Sequence, residues 1–198
     1  DIEEIKKDIR KNLSDYRYNH SIRVMEESVS LAKHYHADVE KCRVCGLTHD
    51  MCKEYTREEN EEIIEKYNLP KELLDDENRN LAHGFIASVL VKEKYNFTND
   101  MVLAIKYHST GYINMDLLAK IIYLADKIEK GKDYPGIEEE RLLAYQNIDK
   151  AIILCLNNQI KSLKERNKVI NKIAYKTLIF LEESTTNWNI SKIMLQFT

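Results

Sequence analysis

The sequence predicts an all-α protein, and three observations indicate this fold class. Apolar residues recur along the chain at the i, i+3, i+4, i+7 spacing of helices. Only 5 glycines and 2 prolines occur among 198 residues, so turns are few and the helices between them are long. No segment shows the alternating pattern of a strand. The apolar fraction of 43% is sufficient for a real core.

Five helices are expected in the first half of the chain. Asp38 is a typical N-cap residue, and Thr56 with Glu59 matches a capping box, in which each side chain binds the backbone amide of the other residue. The segment 81–91 is apolar on nearly all sides, which predicts a buried central helix. The five expected helices span residues 2–13, about 18–36, 38–50, 56–67 and 81–91.

Four further helices are expected in the second half. Thr98 or Asn99 would cap the first of them, and Gly111 would end it. The sequence DYPG at 133–136 predicts a turn. The expected helices span residues 98–111, 115–130, 138–161 and 167–184. Four apolar residues of the tail are expected to pack on the bundle or to support a homodimer: Trp188, Ile193, Met194 and Phe197.

Charge and composition exclude several classes of protein. The net charge of −3, with both signs spread along the chain, argues against a nucleic-acid groove, because such grooves gain affinity from concentrated positive charge. No apolar stretch is long enough to span a membrane. Four cysteines without a secretory leader indicate reduced thiols and a cytoplasmic protein. A small anionic ligand remains compatible with this charge.

Two adjacent metal-ligand residues, His49 and Asp50, lie on the apolar stripe of the third predicted helix, together with Cys42, Cys45 and Gly46. Buried faces seldom carry such polar residues unless something pairs with them. The C-x-x-C spacing of the two cysteines could suggest zinc or redox chemistry. No second C-x-x-C accompanies it, so core packing is the favoured interpretation.

Six histidines and aspartates fall on inward or terminal positions of five different predicted helices. Each alone is more simply explained as a hydrogen-bonded core histidine, a cap or a salt-bridge partner. Together they would be costly to bury unpaired, whereas a divalent metal satisfies nitrogen and oxygen ligands at once. Nitrogen and oxygen ligands without a thiolate indicate an open site, in which the metal keeps a position for water, and they suit Fe, Mn, Co, Ni or Zn. Metal-bound water in such a site favours hydrolysis of phosphoesters or phosphoanhydrides. The six residues are His20, His49, Asp50, His83, His108 and Asp126.

The order of these residues resembles the H…HD…D signature of the HD superfamily of metal phosphohydrolases, and the two further histidines resemble its branch with five or six ligands. Across about residues 5–180, the chain is similar to the YqeK-type bacterial HD proteins, which are symmetrical diadenosine tetraphosphate hydrolases that yield two ADP. Six blocks carry this likeness: NHSIRV (19–24), HDMCK (49–53), LAHG (81–84), KYHSTG (106–111), KIIYLADKIE (120–129) and DYPG (133–136).

The resemblance implies a single HD domain over 1–198, with a core at about 14–135 and the helices of 137–184 packed on it. It implies bound iron held by His20, His49, Asp50 and Asp126. His83 and His108 would then face the phosphates, protonate the leaving ADP or bind a second metal. The implied nucleotide contacts, besides Asp50, His83, His108 and Asp126, are Met51, Cys52, Lys53, Ser109, Thr110, Gly111, Lys132, Ile170, Ile173, Ala174 and Tyr175.

The chain departs from the family at Lys132, where an arginine is usual. Lysine keeps the positive charge but lacks the two-pronged hydrogen bonding of a guanidinium. Lys53 and Lys132 are expected to neutralise phosphate charge. Arg23, one turn after His20, is expected to orient an acidic metal ligand without itself binding the ion. The alternative is that Arg23 is an ordinary arginine exposed on the helix surface.

Two other functions are compatible with the superfamily signature. One is an HD phosphatase acting on another nucleotide, such as a deoxynucleoside mono- or triphosphate. The other is a non-catalytic module that binds a nucleotide without turnover. The downstream blocks weigh against the first, and the complete ligand set weighs against the second.

Overall fold

All regular elements of the computed structural model of the protein are helices over the residues that it describes, which are the backbone of 1–195 and the side chains of 1–186. Two short 3-10 segments, Lys71–Leu74 and Asp76–Asn78, lie between the fourth and fifth helices. The all-α prediction is confirmed. The helices are α1 Ile2–Arg10, α2 Asp15–His34, α3 Val39–Thr48, α4 Arg57–Lys66, α5 Arg79–Tyr95, α6 Asn99–Lys106, α7 Leu117–Ile128, α8 Ile137–Ala144, α9 Ile148–Glu165 and α10 Lys172–Leu195.

Local capping explains where several helices begin. The Asp38 side chain accepts a hydrogen bond from the Lys41 amide, and Thr56 and Glu59 form the expected reciprocal capping box. Ser14 caps α2 by accepting from Arg17, so this helix begins earlier than its predicted start near residue 18. The apolar pattern underestimated α2 because its first turn is polar.

Three predicted boundaries in the second half are wrong. The expected helix 138–161 is two helices, because the Asn147 side chain accepts from the Lys150 amide and starts α9 anew. The final helix begins at Lys172 rather than at residue 167, where Asn167 has a positive φ of 52°. Helix α6 ends at Lys106, and Gly111, at φ 65°, closes a separate turn after it.

Helix α7 lies at the centre of the fold and packs against α2, α3, α6 and α9. Eight of its twelve residues are buried, including the fully buried Tyr123. Helices α2 and α3 approach each other closely, since a Cβ on Gly46 would lie only 2.6 Å from Ser28 Oγ. The central position of α7 places its residue 126 beside the ends of α2 and α3.

The C-terminal helices pack on one another and on this core, with α9 contacting α7, α8 and α10. The side chains of the tail residues Trp188, Ile193 and Met194, and all of Phe197, lie outside the described part of the protein. None of the described helices is both long and apolar enough to cross a lipid bilayer.

All four cysteines are free and buried. Cys42 and Cys45 are fully buried between helices, which confirms the core-packing interpretation of the C-x-x-C spacing. Burial raises the pKa of Cys42 to about 12 and that of Cys45 well above its usual value. Since the thiolate is the reactive form, these positions suit packing and not redox chemistry.

We therefore expect the native protein to react slowly with a thiol reagent at neutral pH. Fewer than one thiol per chain should react within minutes, because Cys52 and Cys155 are also at most 4% exposed. The same protein in denaturant should release the full count of four. Rapid reaction of two native thiols would contradict a packing role for Cys42 and Cys45.

Candidate metal centre

The six histidines and aspartates singled out by the sequence converge on one site. They come from α2, from the C-terminal end of α3, from α5, from the turn after α6 and from α7. The four histidines and Asp50 are each at most 4% exposed, and Asp126 is partly buried. The helical prediction placed His49 and Asp50 within a helix, whereas α3 ends at Thr48 and the two residues follow directly.

Asp50 is the centre of this cluster, because its two oxygens face different pairs of histidines. Its Oδ2 lies 3.7 Å from His20 Nε2 and 3.6 Å from His49 Nε2. Its Oδ1 lies 3.0 Å from His83 Nε2 and 3.4 Å from His108 Nε2. The carboxylate thus joins two groups of possible ligands.

Asp126 completes the first of these groups. Its Oδ1 lies 3.1 Å from His20 Nε2 and 3.6 Å from His49 Nε2. His20, His49 and Asp50 offer ligand atoms that all lie within 4.8 Å of one another, and so do Asp50, His83 and His108. The spacing is that of a set of donors around one or two ions.

One atom of the cluster tests whether the residues fit a metal. His49 Nε2 is buried, points at the two carboxylates and has no hydrogen-bond partner. Leaving such an atom unsatisfied costs about 1–3 kcal/mol. A divalent cation would accept its lone pair, and the mixed nitrogen and oxygen set suits Fe, Mn, Co, Ni or Zn. The residues present therefore fit a divalent metal.

Hydrogen bonds to the other ring nitrogen orient the imidazoles. His49 Nδ1 donates to Gly46 O at 2.8 Å, and His108 Nδ1 donates to Ile105 O at 2.7 Å. A carbonyl oxygen only accepts, so the proton of each ring lies on Nδ1 and leaves Nε2 free to bind a cation. Each histidine follows the residue of its carbonyl partner by three positions, so the backbone at the end of each helix sets the orientation of the ring.

Cations surround the carboxylates. Arg17 Nη1 lies 2.7 Å from Asp50 Oδ2, and Lys127 Nζ lies 2.7 Å from Asp126 Oδ2. Burial alone would raise the pKa of Asp50, but His49, His108 and His83 outweigh it and hold the pKa well below its usual value. The pKa of Asp126 is likewise lowered despite burial, through Lys127 and His20. Both groups are therefore charged at neutral pH.

Burial lowers the pKa of His83 to about 4, although its hydrogen bond to Asp50 offsets part of the effect. Its Nε2 lies 2.9 Å from His108 Nε2, and its Nδ1 lies 3.5 Å from Lys53 Nζ. Burial also lowers the pKa of Lys53. On the Oδ1 side of Asp50, the side chains of Lys53, His83 and His108 thus form a continuous series of polar contacts.

The remaining predicted nucleotide contacts are spread around this cluster. Ser109 Oγ lies 3.3 Å from His108 Nε2, and Thr110 is buried. Met51 and Cys52 pack into the core instead, and Met51 lines a different cavity with Asp8.

The predicted segment near the start of α10 lies close to the turn after α6. A Cβ on Gly111 would meet Thr177 Cγ2 at 2.8 Å, so α10 rests on this turn. Ala174 is buried, and Tyr175 is 40% exposed. Ile170 and Ile173 are partly buried, and Lys132 lines a cavity between α7 and α9.

Three residues at the site escaped the sequence analysis, namely Arg17, Lys127 and Glu129. Arg17 precedes His20 by one helical turn, and Lys127 directly follows Asp126, so spacing could have indicated both. Glu129 accepts a hydrogen bond from His20 Nδ1. Arg23 was expected to orient an acidic ligand, but it pairs with Glu129 instead.

Comparison with known proteins identifies the family of this cluster. The family model described as HD domain matches residues 17–131, which include all six clustered residues. The Bacillus subtilis protein named bis(5'-nucleosyl)-tetraphosphatase, symmetrical, is 33% identical over 82% of this chain and 87% of its own length. The Halalkalibacterium halodurans protein of the same name is 36% identical over the same shares.

A solved structure supports the same relation. The crystal structure of a predicted HD superfamily hydrolase involved in NAD metabolism from Clostridium acetobutylicum matches with a TM-score of 0.85 at 32% identity. The match covers 93% of this chain and 98% of that one. Fold, cluster and sequence therefore agree, and the chain belongs to the HD domain family, among the relatives of the symmetrical bis(5'-nucleosyl)-tetraphosphatases.

Proposed function

We propose that this protein is a metal-dependent hydrolase that splits diadenosine tetraphosphate symmetrically into two ADP. Two observations carry the proposal: the six histidines and aspartates converge on one site, and relatives that this chain covers to 87% of their length bear the name of this activity. A module that only binds nucleotide has no need for six converging ligands. The same cluster would serve a general nucleotide phosphatase, so the substrate rests on the relatives.

The proposed metal ligands are His20, His49, Asp50 and Asp126, with iron as the proposed ion. His83 and His108 are proposed to hold a second ion or to face the phosphates, because both Nε2 atoms converge on Asp50 Oδ1. A divalent metal bound there supplies Lewis acidity toward a phosphate oxygen and lowers the pKa of water. The chain itself supplies the burial, the orientation of the imidazoles and the surrounding cations.

A cavity beside the cluster offers room for a nucleotide. It has a volume of about 670 Å³, within the range of small-molecule sites, and lies between α7 and α9. Lys127 lines it and also pairs with Asp126, so this one side chain links the cavity to the cluster. Lys132, Lys161 and Arg166 add positive charge along its wall. With Glu140 and Glu165 the only acidic side chains among the described residues of its lining, the cavity keeps an excess of positive charge that suits part of a polyphosphate.

The other proposed nucleotide contacts follow the sequence analysis except at the buried Met51 and Cys52: Asp50 and Lys53 at one side of the cluster, Ser109–Gly111 beside His108, and Ile170–Tyr175 near the start of α10. Lys53 contributes positive charge beside His83, where a phosphate bound at the second group would lie. Two sources of cations, at Lys53 and at Lys127, thus flank the six ligands. This arrangement suits a chain of four phosphates that is cut in its middle.

The composition of the chain supports a proposal for its cellular setting. The net charge of −3 supports a small anionic substrate and ADP product in place of a nucleic acid. Free thiols support a place in the cytoplasm. We propose that the whole chain forms one HD domain, and a homodimer through the tail stays a prediction.

Incubation of the metal-loaded protein with diadenosine tetraphosphate tests the function. We expect ADP as the sole nucleotide product on ion-exchange chromatography, with about one ¹⁸O atom for every two ADP when the reaction runs in H₂¹⁸O, because one water is consumed per bond cleaved. Elemental analysis of the same anaerobically purified preparation tests iron. A product mixture of ATP and AMP, or no turnover, would contradict the proposal.

A substrate panel provides the control for specificity. Deoxynucleoside mono- and triphosphates should turn over far more slowly than the dinucleotide under the same conditions. Faster turnover of any of them would favour the general HD phosphatase. Binding of ADP without turnover of any compound would favour the non-catalytic module.

A further inference from the structure

The segment that follows α7 is docked along one face of α2. Three residues of α2, spaced one helical turn apart, contact it: His20, Arg23 and Glu26. Arg23 Nε lies 2.6 Å from Glu129 Oε2, and Lys130 Nζ lies 2.7 Å from Glu26 Oε2. The contact nearest the metal cluster is buried, whereas the pair of Lys130 with Glu26 is largely exposed.

Glu129 lies at the centre of the buried part of this contact between α2 and the segment that follows α7. It is 1% exposed, and both of its oxygens are fully used. Oε1 accepts from His20 Nδ1 at 3.1 Å and from Arg23 Nη2 at 3.3 Å. Oε2 accepts from Arg23 Nε at 2.6 Å and from the Gly131 amide at 2.5 Å. Four donors on two oxygens leave this carboxylate a single orientation.

His20 is held differently from two of its neighbours in the cluster. The Nδ1 atoms of His49 and His108 donate to neutral backbone carbonyls within their own helix ends. His20 Nδ1 faces a carboxylate 109 positions away along the chain. A charged acceptor makes the stronger hydrogen bond and leaves the opposite ring nitrogen a better electron donor.

We propose that Glu129, locked by Arg23, is the positioning residue that fixes the orientation and donor strength of His20 toward the metal. The inference rests on the metal site of the proposed function. Each ring nitrogen of His20 lies 3.1 Å from a carboxylate oxygen, Nδ1 from Glu129 and Nε2 from Asp126. A cation bound between Nε2 and the Asp50 and Asp126 carboxylates, which lie 3.7 and 3.1 Å away, would take the Nε2 lone pair, and Glu129 would then hold the proton on Nδ1. Arg23 acts one step further away, by preventing the carboxylate from rotating.

Cobalt(II) binding to the metal-free protein tests the proposal without any substrate. Glu129→Gln keeps the size of the side chain but removes its charge. We expect it to weaken Co²⁺ affinity, measured against a competing chelator, by about 10-fold or more. The visible absorption of the bound Co²⁺ should also change, because it reports the ligand field at the ion.

Glu26→Gln is the matched control, since it removes the same charge from the same interface one turn further along α2. It should leave Co²⁺ affinity within about twofold of the wild type, as expected for an exposed ion pair. Equal affinity and an equal spectrum for Glu129→Gln and wild type would overturn the proposal. Failure of the wild type itself to bind Co²⁺ would instead contradict the metal site of the proposed function.

Gly131→Ala is a second variant that leaves Glu129 and His20 in place. Its new Cβ would lie 2.4 Å from Arg23 Nε and 2.6 Å from Cζ, so the flexible end of Arg23 must move off the carboxylate. We expect a several-fold loss of Co²⁺ affinity with a native circular dichroism spectrum. If Glu129→Gln does not fold, this variant decides, and an unchanged affinity overturns the proposal.

Discussion

Replacement of His49 by alanine is expected to remove both the bound metal and the hydrolytic activity. His49 is fully buried, and its unpartnered Nε2 faces both carboxylates of the first ligand group. Without it, Asp50 and Asp126 lose the donor that shares the ion with them. We expect kcat/KM to fall by more than about 100-fold, beyond the 10–100-fold usual for residues behind a ligand. Metal content per chain and the rate of ADP release measure the two effects.

His34→Ala is the matched control, because this histidine is exposed near the C-terminal end of α2 and makes edge-to-face contacts with Tyr35 and Tyr145. It should keep the metal and the rate of the wild type. His49→Gln, which retains a polar group of similar length, separates loss of the ligand from loss of packing. Full activity of a metal-free His49→Ala protein would refute a hydrolytic role for the cluster. Unchanged ADP binding by His49→Ala, with no turnover by the variant or the wild type, would favour the binding module.

The features predicted well from sequence are those encoded within a few residues. Asp38 and Thr56 cap helices because their side chains bind amides three positions ahead. The stripe from Cys42 to Asp50 is buried because a single helical period aligns it, even though the helix ends two residues earlier. The convergence of the six histidines and aspartates followed from polar residues on apolar faces.

The features missed depend on contacts between distant parts of the chain or on weak local signals. Arg17 and Glu129 look like ordinary charged residues in sequence, and only the packing of α2 against α3 and α7 brings each of them to a ligand. The break before α9 depends on Asn147, a residue as common in loops as at caps. Periodicity alone cannot separate two helices that share one apolar face.

Asp50 shows how the two kinds of information combine. Its place next to His49 marked it as a ligand in the sequence, but its central role is a property of the fold. One oxygen faces His20 and His49 from α2 and α3, and the other faces His83 and His108 from α5 and the turn after α6. The spacing between α5 and this turn therefore decides whether the second pair of imidazoles can share one carboxylate.

Gly84→Ala should alter that spacing and lower both stability and activity. A Cβ at Gly84 would lie 2.7 Å from Lys106 O and 3.1 Å from Ile105 O, both of them backbone atoms. Helix α5 must then move away from the end of α6. Since His83 and His108 stand on the two sides of this contact, with 2.9 Å between their Nε2 atoms, the second ligand group should open.

Two physical effects predict opposite signs for this variant, which makes the result decisive. Alanine is favoured over glycine in a helix by about 1 kcal/mol, so propensity alone would raise the free energy of unfolding. Overpacking against backbone costs about 1–3 kcal/mol, so we expect a net destabilisation of up to about 2 kcal/mol. Urea unfolding measures the sign. Lys92→Ala, on the exposed face of α5, should change stability by less than about 0.5 kcal/mol. A more stable Gly84→Ala protein with full activity would show that α5 and α6 are not in contact at His83 and His108.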